Sequence, residues 1–284
     1  MLPICVAAAL DRAVARLAAV GIGEPRIDAK YLLAEVLQRE PLGLSLCAQE
    51  PLTPDQWTAF EQLIDRRVDR EPVAKILRRR AFYGRNFIVS RETLDPRADS
   101  ESLIDLALTL PPAKTVLDLG TGTGCLLLTY LQQQPAAHGL GTDLSRHAVE
   151  VAQENAAALK LEDRASFAQG SWSDPVADGT TFDLILTNPP YIRTDEYDDL
   201  QPEVQHWDPP LALFAGPDGL AAYSQIFACL PSVSHCQSQL CLEIGLGQGA
   251  EVRALAGAAG WQFLKSHRDL GGIERALAFC RNVG

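Results

Sequence analysis

The chain has no Cys-x-x-Cys pair and no Cys/His cluster among its 284 residues. Its cysteines, Cys5, Cys47, Cys125, Cys229, Cys236, Cys241 and Cys280, are scattered and odd in number. A structural zinc site needs ligands at short, repeated spacings, so no metal is expected. Scattered cysteines in a chain this long read as reduced thiols, mostly buried. No apolar run approaches the roughly 18 residues of a membrane span, so no membrane contact is expected. The opening Met1-Leu2-Pro3 and the apolar stretch after it lack a basic segment, which argues against a secretory leader and for a cytoplasmic location. There is no excess of positive charge either; the net charge is −11. Phosphate backbones are bound chiefly through Lys and Arg, so no direct nucleic-acid partner is expected. Internal repeats and low-complexity segments are also missing.

What is present is ordinary for a globular protein: 47% hydrophobic and 21% charged residues, in a length comfortable for two domains. The charge is uneven. The first 97 residues hold 15 Lys and Arg against 13 Asp and Glu, and the remainder 10 against 23. Basic residues crowd Arg66, Arg67, Arg70, Lys75, Arg78, Arg79, Arg80 and Arg85. They form either a solvated face or a docking patch for an acidic or RNA-associated partner.

Residues 1–75 read as a helical domain. Leu10, Val14, Leu17 and Ala18 keep a helical period that Gly21 and Gly23 end. Asp28 opens a second helix with the stripe Tyr31, Leu32, Leu33, Val36 and Leu37. Thr53 or Asp55 caps a third, carrying Trp57, Phe60, Leu63, Ile64 and Val68. Residues 76–97 read as a hairpin linker, with short β runs Phe82-Tyr83-Gly84 and Phe87-Ile88-Val89 around Arg85-Asn86. Residues 98–284 then alternate helices and strands. A helix is predicted over Ala98–Leu110 and another over Arg146–Leu159. Strands are predicted at 115–119, 139–143, 165–168, 182–187 and 238–244. Such alternation means an α/β fold with a mostly parallel sheet, whose binding crevice lies at the carboxyl ends of its strands.

Three motifs sit at those ends. Asp118-Leu119-Gly120-Thr121-Gly122-Thr123-Gly124 follows the first strand. Its spacing is not that of a dinucleotide fingerprint. It reads as a tight strand–helix turn, or as a loop for a nucleoside carrying an amino-acid tail. Asp143 ends the second strand, where an acid can accept both hydroxyl hydrogens of a ribose or cap the next helix. Its place one βα unit after the glycine loop favours ribose. Asn188-Pro189-Pro190-Tyr191 leaves the fourth strand. Asn188 offers an amide oxygen, and the prolines present carbonyls without N–H donors. The prolines also stiffen the turn, leaving a pair of acceptors for the two hydrogens of a planar NH2 group, with Tyr191 as an aromatic face.

With these motifs the chain resembles the class I S-adenosylmethionine-dependent methyltransferases that act on amide or aminopurine nitrogens. Further segments resemble the release-factor glutamine N5-methyltransferases. They are Gly21 to Leu37 with its Pro25 to Ala29, Arg70-Glu71-Pro72-Val73, Phe82 to Phe87, Leu94 to Glu101, Gly216 to Leu220, Leu242-Glu243-Ile244-Gly245 and Asp269 to Arg275. The resemblance covers nearly the whole chain. It implies a Rossmann-like sheet of seven mostly parallel strands, a small N-terminal helical domain for partner recognition, and a β-hairpin linker. It implies S-adenosylmethionine as cofactor and S-adenosylhomocysteine as product. Gly120, Thr121, Gly122, Thr123 and Gly124 would hold the methionine part, Asp143 the ribose and Trp172 the adenine, with Asn188 beside the cofactor. Asn188, Pro189, Pro190 and Tyr191 would bind the target glutamine of class 1 peptide chain release factors, with Asn188, Pro189 and Tyr191 catalytic. A monomer is expected. The sequence departs from the family at Asp95, at Ala98, over Lys75 to Arg78 and at Ser171, none of them in the tetrapeptide. Other readings remain. One is an amino-methyltransferase on adenine or cytosine of DNA or RNA, another a glutamine methyltransferase of a ribosomal protein, and a third a binder with a vestigial site.

Overall fold

The computed structural model describes residues 4–281. Met1, Leu2 and Pro3 of the N-terminal stretch, and residues 282–284 at the end of the expected methyltransferase domain, lie outside them. In chain order the helices are α1 (Val6–Ala19), α2 (Pro25–Leu37), α3 (Pro54–Val68), α4 (Val73–Leu77), α5 (Glu101–Leu108), α6 (Cys125–Gln133), α7 (Arg146–Ala158), α8 (Pro202–Trp207), α9 (Ala221–Val233) and α10 (Gly249–Ala258). The strands are β1 (Arg79–Phe82), β2 (Arg85–Ile88), β3 (Thr115–Leu119), β4 (His138–Asp143), β5 (Ala165–Gln169), β6 (Phe182–Thr187), β7 (Ser234–Glu243), β8 (Trp261–Arg268) and β9 (Glu274–Arg281). Among the described residues, no helix is long and apolar enough to cross a membrane.

Two compact units emerge. The first joins residues 1–78 to residues 201–207, and the second holds 79–200 and 208–284. In the first unit α1 to α4 enclose a core that includes Leu17, Leu32, Leu33, Phe60 and Ile64. Helix α3 starts at Thr53, whose hydroxyl accepts from the Gln56 amide while the Gln56 side chain accepts from the Thr53 amide. That reciprocal cap satisfies two otherwise orphaned donors. Helix α2 begins earlier than expected, with Pro25 in its first turn, because proline's fixed φ and missing N–H suit a helix start. Asp28 instead pairs with Arg67 at 2.7 Å. Arg67 is buried and also holds Glu203 of α8 at 2.9 Å, with Arg70 on the same carboxylate at 3.3 Å.

The second unit is a seven-stranded sheet in the order β5-β4-β3-β6-β7-β9-β8. Strands β3 to β7 run parallel, and β9 is antiparallel to both its neighbours. One face packs on a core with Leu103, Leu127 and Tyr130, the other on one with Tyr223, Ile226 and Leu230. This is the mostly parallel, Rossmann-like sheet that the sequence predicts. The chain winds outward from β3 through β4 to β5, then returns to build β6 on the other side of β3. The point where the order reverses therefore lies between β3 and β6, and a crevice opens at their carboxyl ends.

The hairpin is shifted from its expected register. Its turn is Tyr83-Gly84, not Arg85-Asn86, and Phe82 pairs with Arg85. Tyr83 and Gly84 both have positive φ, 50° and 73°, the conformation that lets a two-residue loop follow the twist of its strands. The helix expected over Ala98–Leu110 is a short 3-10 turn at Ala98–Ser100 followed by α5. Strand β7 starts four residues earlier than the apolar run suggests.

Candidate active site

The glycine loop leaves β3 at Leu119. Gly120, Gly122 and Gly124 have φ of 72°, 54° and 77°, a region that side chains with a Cβ enter only with strain. The Gly120 and Thr121 amides both donate to the Thr142 carbonyl at 2.9 Å, which moors the loop to the end of β4. Gly124 begins α6 and does not line the cavity. Below the loop lies Asp118, fully buried, accepting from the Thr121 hydroxyl at 2.6 Å. Burial pushes its carboxyl up to about 7, with the Thr121 hydroxyl and the Leu127 amide opposing.

Asp143 faces the loop from β4. One carboxylate oxygen accepts from the Gly122 amide at 2.8 Å and the other from the Ser145 amide at 2.9 Å. Burial raises this carboxyl above its ordinary value, with the two amides opposing. The cap of α7 is Ser145, whose hydroxyl accepts from the Ala148 amide, so Asp143 is free of that duty. Trp172 follows β5, and its indole N–H donates to Gln225 at 2.8 Å.

Asn188 follows β6 directly and donates from Nδ2 to the Ser100 hydroxyl oxygen at 3.1 Å. Pro189 is buried, and Pro190 is half-buried against the cavity. Tyr191 packs partly buried against the apolar layer around Tyr223. Its hydroxyl donates to Glu243 at 3.4 Å, and its carbonyl accepts from Gln248 at 3.0 Å. Burial raises the Tyr191 hydroxyl well above its ordinary value, with Glu243 adding to the rise.

One cavity of about 500 Å³ brings these pieces together. Gly120, Thr121, Gly122, Thr123, Asp143, Trp172, Asn188 and Pro190 all line it. Pro189, Tyr191 and Gly124 do not. The size suits a ligand such as a nucleoside with an amino-acid tail. The donor set suits it too. A carboxylate keeps lone pairs for ribose hydroxyls, and the indole of Trp172 lies close enough to Gly120 that a Cβ there would stand 3.6 Å from the ring. Among the described residues, no group of three or more His, Cys, Asp or Glu side chains is placed to hold a metal ion.

Three residues of this region carry weight that the sequence did not reveal. Ser100 accepts from the Asn188 amide, Glu243 accepts from the Tyr191 hydroxyl, and Asn155 ties the hairpin to the glycine loop. Ser100 and Glu243 fall in segments that resemble the family, and Glu243 also stands out as a lone charge within the apolar run Leu240-Cys241-Leu242-Glu243-Ile244.

Comparison with known proteins follows the same lines. Residues 8–77 match the PrmC N-terminal domain and residues 82–202 the methyltransferase small domain. A release factor glutamine methyltransferase from Cereibacter sphaeroides is 47% identical over 95% of this chain and 96% of its own length. The chain belongs to the release factor glutamine methyltransferase family. A second member, from Rhodospirillum rubrum, is 42% identical over 94% of this chain and 82% of its own. The fold is also found in a solved methyltransferase structure from Pyrococcus furiosus. That structure has a TM-score of 0.55 and 15% identity, covering 74% of this chain and 93% of the other. The family's chemistry therefore comes with the methyltransferase fold, and the site above lies at its switch point.

Proposed function

We propose that the protein transfers a methyl group from S-adenosylmethionine to the side-chain amide nitrogen of the glutamine in the Gly-Gly-Gln motif of class 1 peptide chain release factors. One observation carries the reading. Asn188 of the Asn-Pro-Pro-Tyr turn opens on the same cavity as the glycine loop and Asp143. Gly120 to Gly124 would hold the methionine part of the cofactor, Asp143 its ribose and Trp172 its adenine. When bound, S-adenosylmethionine supplies a methyl group activated by the sulfonium charge.

The chain's own residues deal with the acceptor. An amide nitrogen is a poor nucleophile because its lone pair is delocalised, as the roughly 18–20 kcal/mol barrier to amide rotation attests. Asn188 Oδ1 accepts one N–H of the glutamine amide and aims its nitrogen, while the Pro189 carbonyl, which does not line the cavity as it stands, must turn toward it to accept the other. The same two acceptors stabilise positive charge as it grows on that nitrogen. Holding the reacting groups at near-attack distance supplies about 7–11 kcal/mol of the barrier reduction. The methylated amide cation is a strong acid and passes its proton to water, so no dedicated base is needed. Tyr191, held at its hydroxyl and its carbonyl, stiffens the turn. The first unit is assigned to recognition of the release factor, with the protein acting as a monomer.

The test is transfer of labelled methyl groups to purified unmodified release factor, alongside the same factor with Gln→Ala in its Gly-Gly-Gln tip. Label in the first and none in the second is the expected result. Asn188→Ala should lower turnover at least a thousandfold while the cofactor Kd, read by calorimetry, stays within threefold. Full activity in that variant sinks the assignment of Asn188. Cofactor binding with no label in the release factor redirects the search to a ribosomal-protein acceptor.

A further inference from the structure

Past the residues assigned to the cofactor, the cavity continues between two segments moored at either end of the Asn-Pro-Pro-Tyr turn. The first includes Leu94, Pro96 and Arg97. It ends at Ser100, whose hydroxyl accepts from Asn188 and whose amide donates to the Arg97 carbonyl at 3.1 Å. The second includes Pro209, Pro210 and Phe214. It is fastened just past Tyr191, where Ile192 forms a parallel bridge with Phe214. The Ile192 amide donates to the Leu213 carbonyl, and the Ala215 amide to the Ile192 carbonyl, each at 2.9 Å. An ion pair joins the two segments: Arg97 Nη2 meets Asp208 at 2.7 Å, with the aspartate side chain 3% exposed and the arginine side chain 41%.

These walls are poor in donors. Pro96, Pro209 and Pro210 have no N–H to offer. The amides of Ala212, Leu213 and Phe214 donate back to the carbonyls of Pro209 and Pro210. A polypeptide entering here in extended form brings main-chain carbonyls that need N–H partners. Arg97 supplies what the walls lack. A guanidinium carries five N–H bonds in a rigid fork, and Asp208 engages one nitrogen of it. The charge of Arg97 is balanced by that buried carboxylate, and Glu92 and Asp95 also line the cavity. Such surroundings favour a neutral carbonyl and oppose a phosphate.

We propose that Arg97, held by Asp208, receives the acceptor polypeptide by donating to main-chain carbonyls beside the target glutamine, so that this half of the cavity takes a peptide and not a nucleobase. The assignment rests on the amide-methylation reading above and names how that site chooses its substrate class. Arg97 binds the acceptor equally before and during methyl transfer, so its contribution falls on KM and leaves kcat alone. Asp208 is a positioning residue that fixes the plane of the guanidinium.

The test uses the full chain with labelled cofactor and two acceptors, unmodified release factor and a short peptide spanning its Gly-Gly-Gln tip. Losing a hydrogen bond from a charged group weakens binding about tenfold or more. Arg97→Ala should therefore raise the KM for both acceptors at least tenfold, with kcat and the cofactor Kd within threefold. Asp208→Ala, which breaks the ion pair but keeps the guanidinium, should raise KM no more than a third as far. An unchanged KM in Arg97→Ala overturns the proposal. An equal rise in the two variants also overturns it, because the pair would then only clasp the walls. A second measurement uses the unsubstituted protein and survives if Arg97→Ala does not fold. Peptides in which the amides flanking the glutamine are replaced one at a time by an alkene lose one carbonyl each. At least one replacement should raise KM tenfold, and none doing so overturns the proposal. Inorganic phosphate that competes with the acceptor in the unsubstituted protein but not in Arg97→Ala would mark an anion site and overturn it too. Absence of methyl transfer to either acceptor by the unsubstituted protein is a different failure: it removes the amide-methylation reading itself.

Discussion

At Asp143 one carboxylate meets two demands. Each oxygen takes a single backbone N–H, from Gly122 or from Ser145, which fixes the plane of the group and leaves further lone pairs for the cavity. Replacing Asp143 with Asn puts an NH2 group against one of those backbone donors and removes an acceptor. Hydrogen bonds to charged groups contribute about 1.5–3 kcal/mol each, so cofactor affinity should fall roughly tenfold to a hundredfold. Calorimetric titration with S-adenosylmethionine measures this directly, and an unchanged Kd removes Asp143 from the ribose role. At this scale the sequence is readable where residues act through their own chemistry and position. Asp143 and Asn188 stand at strand ends, and strand ends are visible as apolar runs followed by turn residues. Ser100 was not readable in the same way. It lies in the Leu94 to Glu101 segment that resembles the family, but it acts across 88 positions of sequence through one hydrogen bond, and nothing in the residue points to Asn188.

Between elements the decisive side chain is Asn155 on α7. It is fully buried. Its oxygen accepts from the Ile88 amide at 2.6 Å, and its nitrogen donates to the carbonyls of Ile88 at 3.0 Å and Thr123 at 2.9 Å. One amide thus joins the end of β2, the glycine loop and a helix. Asn155→Ala leaves those backbone groups unpaired, at a cost of about 1–3 kcal/mol for each buried group left unsatisfied. The second unit should melt several degrees lower in thermal denaturation, and the cofactor Kd should rise because the loop loses its tether at Thr123. An unchanged melting temperature would show that water replaces the amide without loss. From sequence, α7 shows as an apolar stripe on Val149, Val151, Ala152 and Ala156, and an asparagine on that stripe reads as an interruption. Strands β3 and β6 stood out because they are short, apolar and buried on both faces. Strand β8 did not. Its exposed Gln262, Phe263 and Leu264 break the alternation, and its pairing with β9 slips between Phe263 and Lys265.

Across the whole molecule, two fully buried carboxyls set the pH response. Asp118 and Glu243 are each pushed up to about 7 by burial, from ordinary values of 3.8 and 4.5. A raised acid favours the fold while protonated, so this contribution is complete below about pH 4 and is lost as pH climbs through 7. A tenfold change in proton affinity is worth about 1.4 kcal/mol, so ionising either group costs the fold on the order of 3–4 kcal/mol. Asp269 is shifted the other way by the Ile273 amide, with Arg275 helping, and its contribution is lost as pH falls below its lowered value. Apparent stability of the unliganded protein should therefore peak on the acid side of neutrality and decline by pH 8. Glu243→Gln should flatten part of that decline. Melting curves from pH 4.5 to 8.5 test it, and a stability that rises steadily to pH 8 contradicts it.

The placement of β9 bears on how the chain comes into being. A ribosome makes β7, then β8, then β9, but the finished order puts β9 between the other two. Until β9 emerges, β8 has no partner and β7 shows an open edge of the kind that recruits stray strands. The glycine loop and the Asn188 turn are by then already made. Glu243 pairs in register with Ala276, and Arg275 faces its carboxyl, so the floor of the site waits on these late residues. A nascent chain stalled before Glu274 would carry the glycine loop, Asp143 and the Asn188 turn while lacking the strand that closes the sheet beneath them.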